Sequence, residues 1–539
     1  MDARADEIIR RQERMAGDRA TWEQHWREIA RLVLPRQSDF NQSQTPGAKR
    51  TEFMYDATAA LALERFAAAM ESMLTPRTGR WHKLTTDDAA LDEDPDVRAW
   101  LDAVTEALFA ARYSPRANFA SQAHETYMSL GAFGTGAVFV DEVMGLGLRY
   151  KSLHLSELFF AENMAGAIDT VHRRFEYTAR QAAQRFKTLP ERIRTAADKE
   201  PERKFEFIHC VWPRDDVKPG RRDWRGMPFA SVYVAVEGRQ IVDEGGYRSF
   251  PYAVSRYVTA PREIYGRSPA MTVLPDIKMV NEMSKTTIRA ANMAVDPPLL
   301  LSDDGVLQAF QMRPGALNFG GVGPNGEPMV KALENRGRFD ISLEMMDQRR
   351  KVVNDAFLVT LFQILVETPA MTATEAMLRA QEKGALLAPT MGRQQSEMLG
   401  PMIERELDIL ASAGQLPPMP DALIEAGAGV RVEYESPMVR AQRAEEGVGI
   451  LRTLEGITPL AQIDPTVLDG INPDETLRAL ADINGAPQKV LRTREEVAAI
   501  RQQRAGQQQA AQLLEAAPVA SKVASDLASI QQKAGQAAF

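Results

Sequence analysis

The sequence is short of most of what catalysis needs. Its 539 residues include a single cysteine, Cys210, which excludes an internal disulfide and a thiolate metal cluster and points to a reducing compartment. A lone thiol of this kind is expected buried in a strand. The six histidines (His25, His82, His124, His154, His172, His209) all fall before residue 210, and no two stand at a metal-ligand spacing. There is no His-Glu-x-x-His, no Gly-x-Ser-x-Gly and no Walker loop. Gly47-Ala48-Lys49-Arg50-Thr51 lacks the first glycine and the strand–helix setting that a phosphate loop requires. Long apolar runs are missing too. The best, Ala356 to Val366, is interrupted by Thr360 and Gln363 and falls far short of the roughly twenty residues of a membrane span. The first residues, Met1-Asp2-Ala3-Arg4-Ala5-Asp6, hold no apolar core of a secretory signal. Basic excess is absent: 65 Lys and Arg face 73 Asp and Glu, a net charge of −8. A protein that grips DNA recruits phosphates with surplus cations, so this balance argues against a tight DNA binder.

What is present is ordinary globular material, 44% hydrophobic and 26% charged, long enough for two to four domains or one elaborate subunit. Residues 3–34 read as one helix carrying Trp22 and Trp26 one turn apart, with Pro35 as its stop; core packing accounts for the rings better than a ligand platform. A second helix spans Ala57 to Leu74. The turn Thr75–Trp81 carries Arg77 and Arg80 as a solvated loop, not a phosphate site. Asp87, Asp88, Asp92, Asp94 and Asp96 precede a helix running through Ala111, where acids serve the cap and the dipole. A divalent-metal nuclease site is the rival use of those carboxylates, and no partnering base accompanies them.

A further helix, Arg116–Leu130, ends at Gly131-Ala132-Phe133-Gly134-Thr135-Gly136. This run follows a helix and opens a strand, the reverse of a phosphate loop, so its role is structural. Strands dominate next, at 137–143, 147–153, 157–161, 168–177, 205–212, 229–236 and 252–258, with a short helix at 178–187. The expected body is α+β with antiparallel pairing.

The most informative stretch begins at Tyr265-Gly266-Arg267-Ser268-Pro269-Ala270, with Ser268 before Pro269 as a helix start. From Met271 to Ala294 the text is helical. Leu274, Ile277, Val280, Ser284, Ile288, Ala291 and Val295 form one apolar-to-small stripe, and Lys278, Glu282, Lys285 and Arg289 a charged one. Pro297-Pro298 stops it. A second helix from about Asp340 to Ile364 has a charged stripe of Glu344, Asp347, Lys351 and Asp355 and an apolar one of Leu343, Met346, Val353, Phe357, Leu361 and Ile364. Between them lies a long glycine- and proline-rich segment with little regular pattern, the kind of loop that normally serves as an interaction surface.

Phe250-Pro251-Tyr252, Arg256-Tyr257, Glu263 through Ala270, Leu274-Pro275-Asp276-Ile277-Lys278, Asn281-Glu282, Asp296-Pro297-Pro298 and Met371-Thr372-Ala373-Thr374-Glu375-Ala376 together resemble the head-to-tail connector, or portal, proteins of short-tailed bacteriophages. The resemblance runs from the Trp22/Trp26 helix to about residue 480 and rests on the order and spacing of the motifs.

The resemblance implies a portal fold. Residues 1–264 would be a wing, 265–295 and 338–364 two stem helices, 296–337 a clip, and 365–380 a channel loop with the helix after it. Residues 381–485 would be a crown, and the Ala/Gln-rich 486–539 a terminal helix, either gathered into a barrel with its copies or left as a tail. It implies twelve copies in a ring at one capsid vertex of the virion, assembled in the host bacterial cytoplasm. Its partners would be the terminase large subunit, tail and adaptor proteins, and capsid and scaffolding proteins. Double-stranded DNA would pass through without sequence-specific binding, which suits the acidic balance. No cofactor and no catalytic or metal residue is expected. Glu344, Asp347, Lys351 and Asp355 would line the channel; Glu367, Thr368, Pro369, Ala370, Met371 and Thr372 would form the channel loop; Arg313, Pro314, Asn318, Asn325 and Glu327 would lie on the docking surface of the clip. A metal-dependent packaging nuclease and a non-ring scaffold or adaptor are the alternatives.

Overall fold

The computed structural model describes residues 2–40, 45, 47–77, 79–143, 147–218, 220–221, 223–301, 317, 322–323, 325–332, 339–360, 388–435, 446–457, 459, 470–483, 492 and 496–507. They divide into two compact units. The first comprises Met1–His82, Glu106–Leu416 and Tyr434–Met438; the second comprises Lys83–Thr105, Pro417–Glu433 and Val439–Phe539.

In chain order the helices are α1 (Ala3–Val33), α2 (Thr58–Leu74), α3 (Ala89–Glu93), α4 (Pro95–Arg112), α5 (Phe119–Phe133), α6 (Ala179–Arg185), α7 (Glu191–Lys199), α8 (Pro269–Thr272), α9 (Leu274–Val295) and α10 (Phe339–Ala356). The strands are β1 (His82–Thr86), β2 (Thr135–Val143), β3 (Gly147–Leu153), β4 (Leu158–Glu162), β5 (Ile168–Thr178), β6 (Lys204–Pro213), β7 (Phe229–Ala235), β8 (Gln240–Tyr247), β9 (Tyr252–Arg256), β10 (Leu299–Leu301), β11 (Val330–Ala332) and β12 (Val430–Tyr434). A helix Gly400–Ser412 and shorter ones at Asp421–Ala426 and Pro473–Ile483 follow. The chain is therefore a mixed α+β protein.

The first unit is built on a five-stranded antiparallel meander, β4-β5-β6-β7-β8. Alternation along β6 divides its two faces. Phe205 and Phe207 join Ala179, Ala182, Phe186 and Ile193 of α6 and α7 in one apolar cluster. Ile208 and Cys210 join Ala5, Ile8 and Ile9 of α1 in another. Cys210 is buried there as expected, and burial pushes its thiol well up. A three-stranded sheet, β3-β2-β9, packs on α5. Trp26 is fully buried, with its indole N–H donated to Phe133 O, and is core; Trp22, 5.8 Å away, is half-buried against it.

The second unit pairs β1 with β12. Its acids are used as caps: Asp88 accepts from Ala90 N, Asp94 from Asp96 N and Val97 N, and Asp92 from Thr86 N.

Several expectations change. The helix expected from Met271 is two pieces, broken at Val273, because Pro275 cannot donate a backbone N–H across the join. The second long helix ends at Ala356, since Leu358 adopts a left-handed φ of 59°, instead of running unbroken to Ile364. The helix expected from Arg116 starts at Phe119, after left-handed Asn118. Short elements with weak periodicity (β1, β8, β10, β11, α7) were not legible in the sequence. Of the terminal helix, residues 496–507 are helical and exposed. Residues 508–539, and the helix expected at 373–384, lie outside the described residues.

Candidate functional site

The paired helices α9 and α10 hang from one crossing point. Gly134, the left-handed C-cap of α5, and Gly266 meet backbone to backbone; a Cβ on either would collide with the carbonyl oxygen of the other. Around this contact Tyr257 N donates to Gly134 O at 2.9 Å, Gly266 N to Thr135 Oγ1 at 2.8 Å and Ser268 Oγ to Ala132 O at 2.8 Å. The Ser268 hydroxyl also accepts from Met271 N at 3.0 Å, capping α8 as its sequence predicts. The glycine run that mimics a phosphate loop and the Tyr265-Gly266 turn are thus the two halves of one joint.

Below the joint, α9 packs on α10 and on the start of α2. Asn281 accepts from Tyr55 N at 2.7 Å and Asp56 N at 3.2 Å, and donates to Phe53 O at 2.9 Å. Arg350 donates from Nε and Nη2 to Asp56 Oδ2 at 3.1 and 2.8 Å, and from Nη1 to Asp347 at 3.0 Å. Asp56, just ahead of α2, also accepts from Thr58 N at 2.9 Å. Burial pushes the Asp56 carboxyl up, but the hydrogen bonds from Thr58 and Arg350 outweigh it and hold the group below its ordinary value. Arg349 adds a 3.0 Å bond to Asp276. The hub formed by Asp56, Asn281 and Arg350 was missed in the sequence; only the Asn-Glu spacing within α9 hinted at one of its members.

Glu344, Asp347, Lys351 and Asp355 are all exposed on α10, with Asp347 bound to Arg350. The apolar stripe divides: Met346, Val353 and Phe357 are buried, whereas Leu343 is exposed, and Leu361 and Ile364 lie outside the described residues. The α9 stripe divides likewise. Leu274, Ile277, Val280 and Ser284 are buried, but no residue of α9 after Ser284 is, and Ile288 and Val295 are open to solvent.

Beyond α9 the segment expected to lack regular structure holds a two-stranded antiparallel ribbon, β10 on β11, with Leu300 opposite Lys331. A tight turn bridges Val322 to Pro328, closed by Gly323 N to Glu327 O at 2.8 Å. Asn325 and Glu327 are exposed on it. Arg313, Pro314 and Asn318 lie outside the described residues, as does the whole loop Glu367, Thr368, Pro369, Ala370, Met371 and Thr372.

Where the chain returns at residue 388 it is clamped to β9. Arg256 donates to Glu397 from Nε at 3.0 Å and Nη2 at 2.8 Å, and its Nη1 reaches Glu162. Glu397 sits on a π-helical turn, Gln395–Leu399, that leads into the helix Gly400–Ser412. On that helix Glu406 is buried with Arg112, whose Nε lies 3.1 Å away; Tyr150 Oη donates to Glu406 at 2.6 Å, and Arg112 Nη1 to His82 Nε2 at 2.9 Å. Burial alone lowers Arg112, and the Glu406 carboxylate reverses it, so the guanidinium stays charged. Burial beside Arg112 drives His82 down to about 2, leaving it neutral.

Among the described residues, no group of three or more His, Cys, Asp or Glu side chains is placed to hold a metal. Of the acids considered for a nuclease, Asp88 and Asp94 cap helices, Asp92 accepts from Thr86, and Asp87 pairs with Arg431 at 2.8 Å. Arg77 and Arg80 are paired with Glu71 and Glu106. No helix among the described residues is long and apolar enough to cross a membrane.

A family model described as bacteriophage head to tail connecting protein matches residues 5–491. The chain is 31% identical over 514 residues to the probable portal protein of Bordetella phage BPP-1, covering 94% of this chain and 92% of that one. It is 27% identical over 538 residues to the portal protein of Salmonella phage epsilon15, covering 98% and 96%. Among solved structures, a chain from the neck of an empty GTA particle matches with a TM-score of 0.38 and 12% identity, over 76% of this chain and 90% of that one.

Proposed function

The chain belongs to the family of bacteriophage head to tail connecting proteins, and we propose that it is a portal subunit, twelve copies of which close into a ring at one vertex of a phage capsid. Its role in that family is structural and not enzymatic. In this reading residues 1–264 are the wing, 265–295 and 338–364 the stem with α9 and α10 as its helices, 296–337 the clip, 365–380 the channel loop and following helix, 381–485 the crown, and 486–539 a terminal helix.

The observation that carries the reading is the stem. Its two helices are anchored firmly at one end and uncovered at the other, beyond Ser284. Among the described residues nothing buries those turns, whereas closed cyclic symmetry covers the same surface in every copy and leaves no edge. Double-stranded DNA passes inward during packaging and outward at ejection past Glu344, Asp347, Lys351 and Asp355. That row is acidic on balance, and a ring of twelve chains of −8 each carries on the order of −96, so DNA slides without being held. The exposed turn at Asn325 and Glu327 belongs to the docking surface offered first to the terminase large subunit and then to tail proteins. Capsid and scaffolding proteins meet the wing. The ring assembles in the host cytoplasm and stays in the virion.

Negative-stain imaging and light scattering of the purified chain test this directly. A closed ring with a central hole is expected. A monomer or dimer would favour the scaffold alternative, and metal-dependent cleavage of DNA lost in Asp94→Asn would favour the nuclease.

A further inference from the structure

Gly47-Ala48-Lys49-Arg50-Thr51 is no phosphate loop, yet its two cations end beside two more. Lys49 and Arg50 line one cavity of about 240 Å³ together with Arg27 and Arg31 of α1. Arg27 and Arg31 stand one helical turn apart, about 6 Å along the axis. The cations around this cavity have found carboxylates: Arg36 pairs with Glu125 at 3.2 Å, Arg267 with Glu263 at 2.7 Å, and Lys278 with Glu28. Arg50 itself is held by Asp39 at 3.2 Å and by Arg36 O at 2.7 Å. Arg27, Arg31 and Lys49, by contrast, pair with no carboxylate among the described residues. Arg31 lies over the Phe53 ring, 4.6 Å from its centre, a contact that fixes the guanidinium without neutralising it.

Among the described residues Glu52 is the one acid on the cavity wall, and it pairs with none of the four cations. The neighbouring sequence holds no substitute, since from Phe40 to Thr51 there is neither Asp nor Glu. Three uncompensated cations around one small space repel one another, and a bound anion removes that cost. Size and donors select the anion. The cavity is smaller than the roughly 300–1,000 Å³ of pockets that take drug-sized ligands. Guanidinium forks, an ammonium and the Ser38 hydroxyl offer N–H and O–H donors suited to the oxygens of a phosphate. A cavity of about 840 Å³ next to it shares Arg27 and Arg31, but its Arg267 and Glu28 are spent on Glu263 and Lys278, so it adds little pull on an anion.

We infer that the cleft between the C-terminal half of α1 and the segment Lys49–Phe53 binds a small free phosphate anion, inorganic phosphate or pyrophosphate. Bound there, the anion bridges α1 to the segment that leads directly into Tyr55 and Asp56. It thereby ties α1 to the hub where Asn281 and Arg350 hold α9 and α10. The site belongs to a single chain and does not depend on ring closure.

Titration calorimetry of the full chain with pyrophosphate, at an ionic strength fixed with sodium chloride, tests the site. One anion per chain is expected. Arg27→Gln and Lys49→Gln should each weaken binding by at least about tenfold, the loss of one charge-assisted hydrogen bond. Arg14→Gln, exposed on α1 about 20 Å along the helix from Arg27, should bind as the unaltered chain does. In chloride alone Arg27→Gln/Lys49→Gln should melt no lower than the unaltered chain, because neither side chain has another partner among the described residues and a repulsion is relieved. Pyrophosphate should then raise the melting temperature of the unaltered chain more than that of the double variant, since its general salting effect acts on both alike. Equal pyrophosphate affinity in the unaltered chain and the double variant, no binding in either, or a loss as large in Arg14→Gln overturns the site. A duplex oligonucleotide whose binding is lost in the double variant, and which pyrophosphate fails to displace, overturns the small anion and gives the cleft to DNA.

Discussion

Gly134 and Gly266, far apart in sequence, cross so closely that neither position has room for a side chain. One closes α5 and the other opens the path into α8 and α9, so the contact sets the direction in which α9 leaves α5. Gly266→Ala should therefore cost about 1–3 kcal/mol or more, since the obstacle is backbone and cannot rotate aside. At Gly134, whose φ is +76°, the conformational penalty adds to the collision. A thermal melt checks both; alanine at Gly17, inside α1 with nothing within 4 Å, is the control and should melt no lower than the unaltered chain, since alanine is the better helix former.

Asp56 joins three helices through Arg350, Thr58 and Ser284. Its folded pKa lies below the 3.8 of a free carboxyl, so its contribution is complete above that value and is lost as pH falls through the lower folded value. Asp56→Asn should flatten the acid limb of a plot of melting temperature against pH. At neutral pH Arg350→Ala should cost about 1.5–3 kcal/mol, the range for hydrogen bonds to a charged group. An unchanged acid limb in Asp56→Asn would show that other carboxylates set it.

Arg112 and Glu406 are both fully buried. Removing either partner strands the other charge in the core, so Arg112→Met or Glu406→Met alone should destabilise by about 3–5 kcal/mol. The double replacement should recover most of that loss. Denaturant unfolding of the four proteins reads the coupling, and simple additivity would refute it.

His172 is buried beside Gln12, and burial brings it down to about 3; His82 reaches about 2. Both stay neutral in the folded chain while their unfolded counterparts take protons below pH 6.5. Their contribution is thus present above 6.5 and declines as pH drops, by about 2 kcal/mol per histidine at pH 5. His172→Gln should make the fall in melting temperature between pH 7 and 5 shallower.

The long periodic elements were legible in the sequence. α1, α2 and α9 were found to within a few residues because their apolar positions recur at helical steps, and Ser268 caps where a serine before proline should. The resemblance supplied the family, which the comparisons bear out. What the sequence withheld was pairing across distance. Asn281 and Arg350 sit among charged helix residues that look solvated, and only folding brings Asp56 to them. The division of the α9 stripe at Ser284 was equally hidden, because periodicity records that a face is apolar and not what covers it. Leu358 ended α10 early with no glycine or proline to announce it.

The grip of Arg256 on Glu397 has a mechanical consequence. Glu397 lies on the turn Gln395–Leu399 at the head of the helix Gly400–Ser412, and the Arg256 that holds it belongs to β9. Traction applied at that turn is met by two parallel charged bonds pulled together. A load on that turn is carried into a hydrogen-bonded sheet before it can unravel the helix behind it.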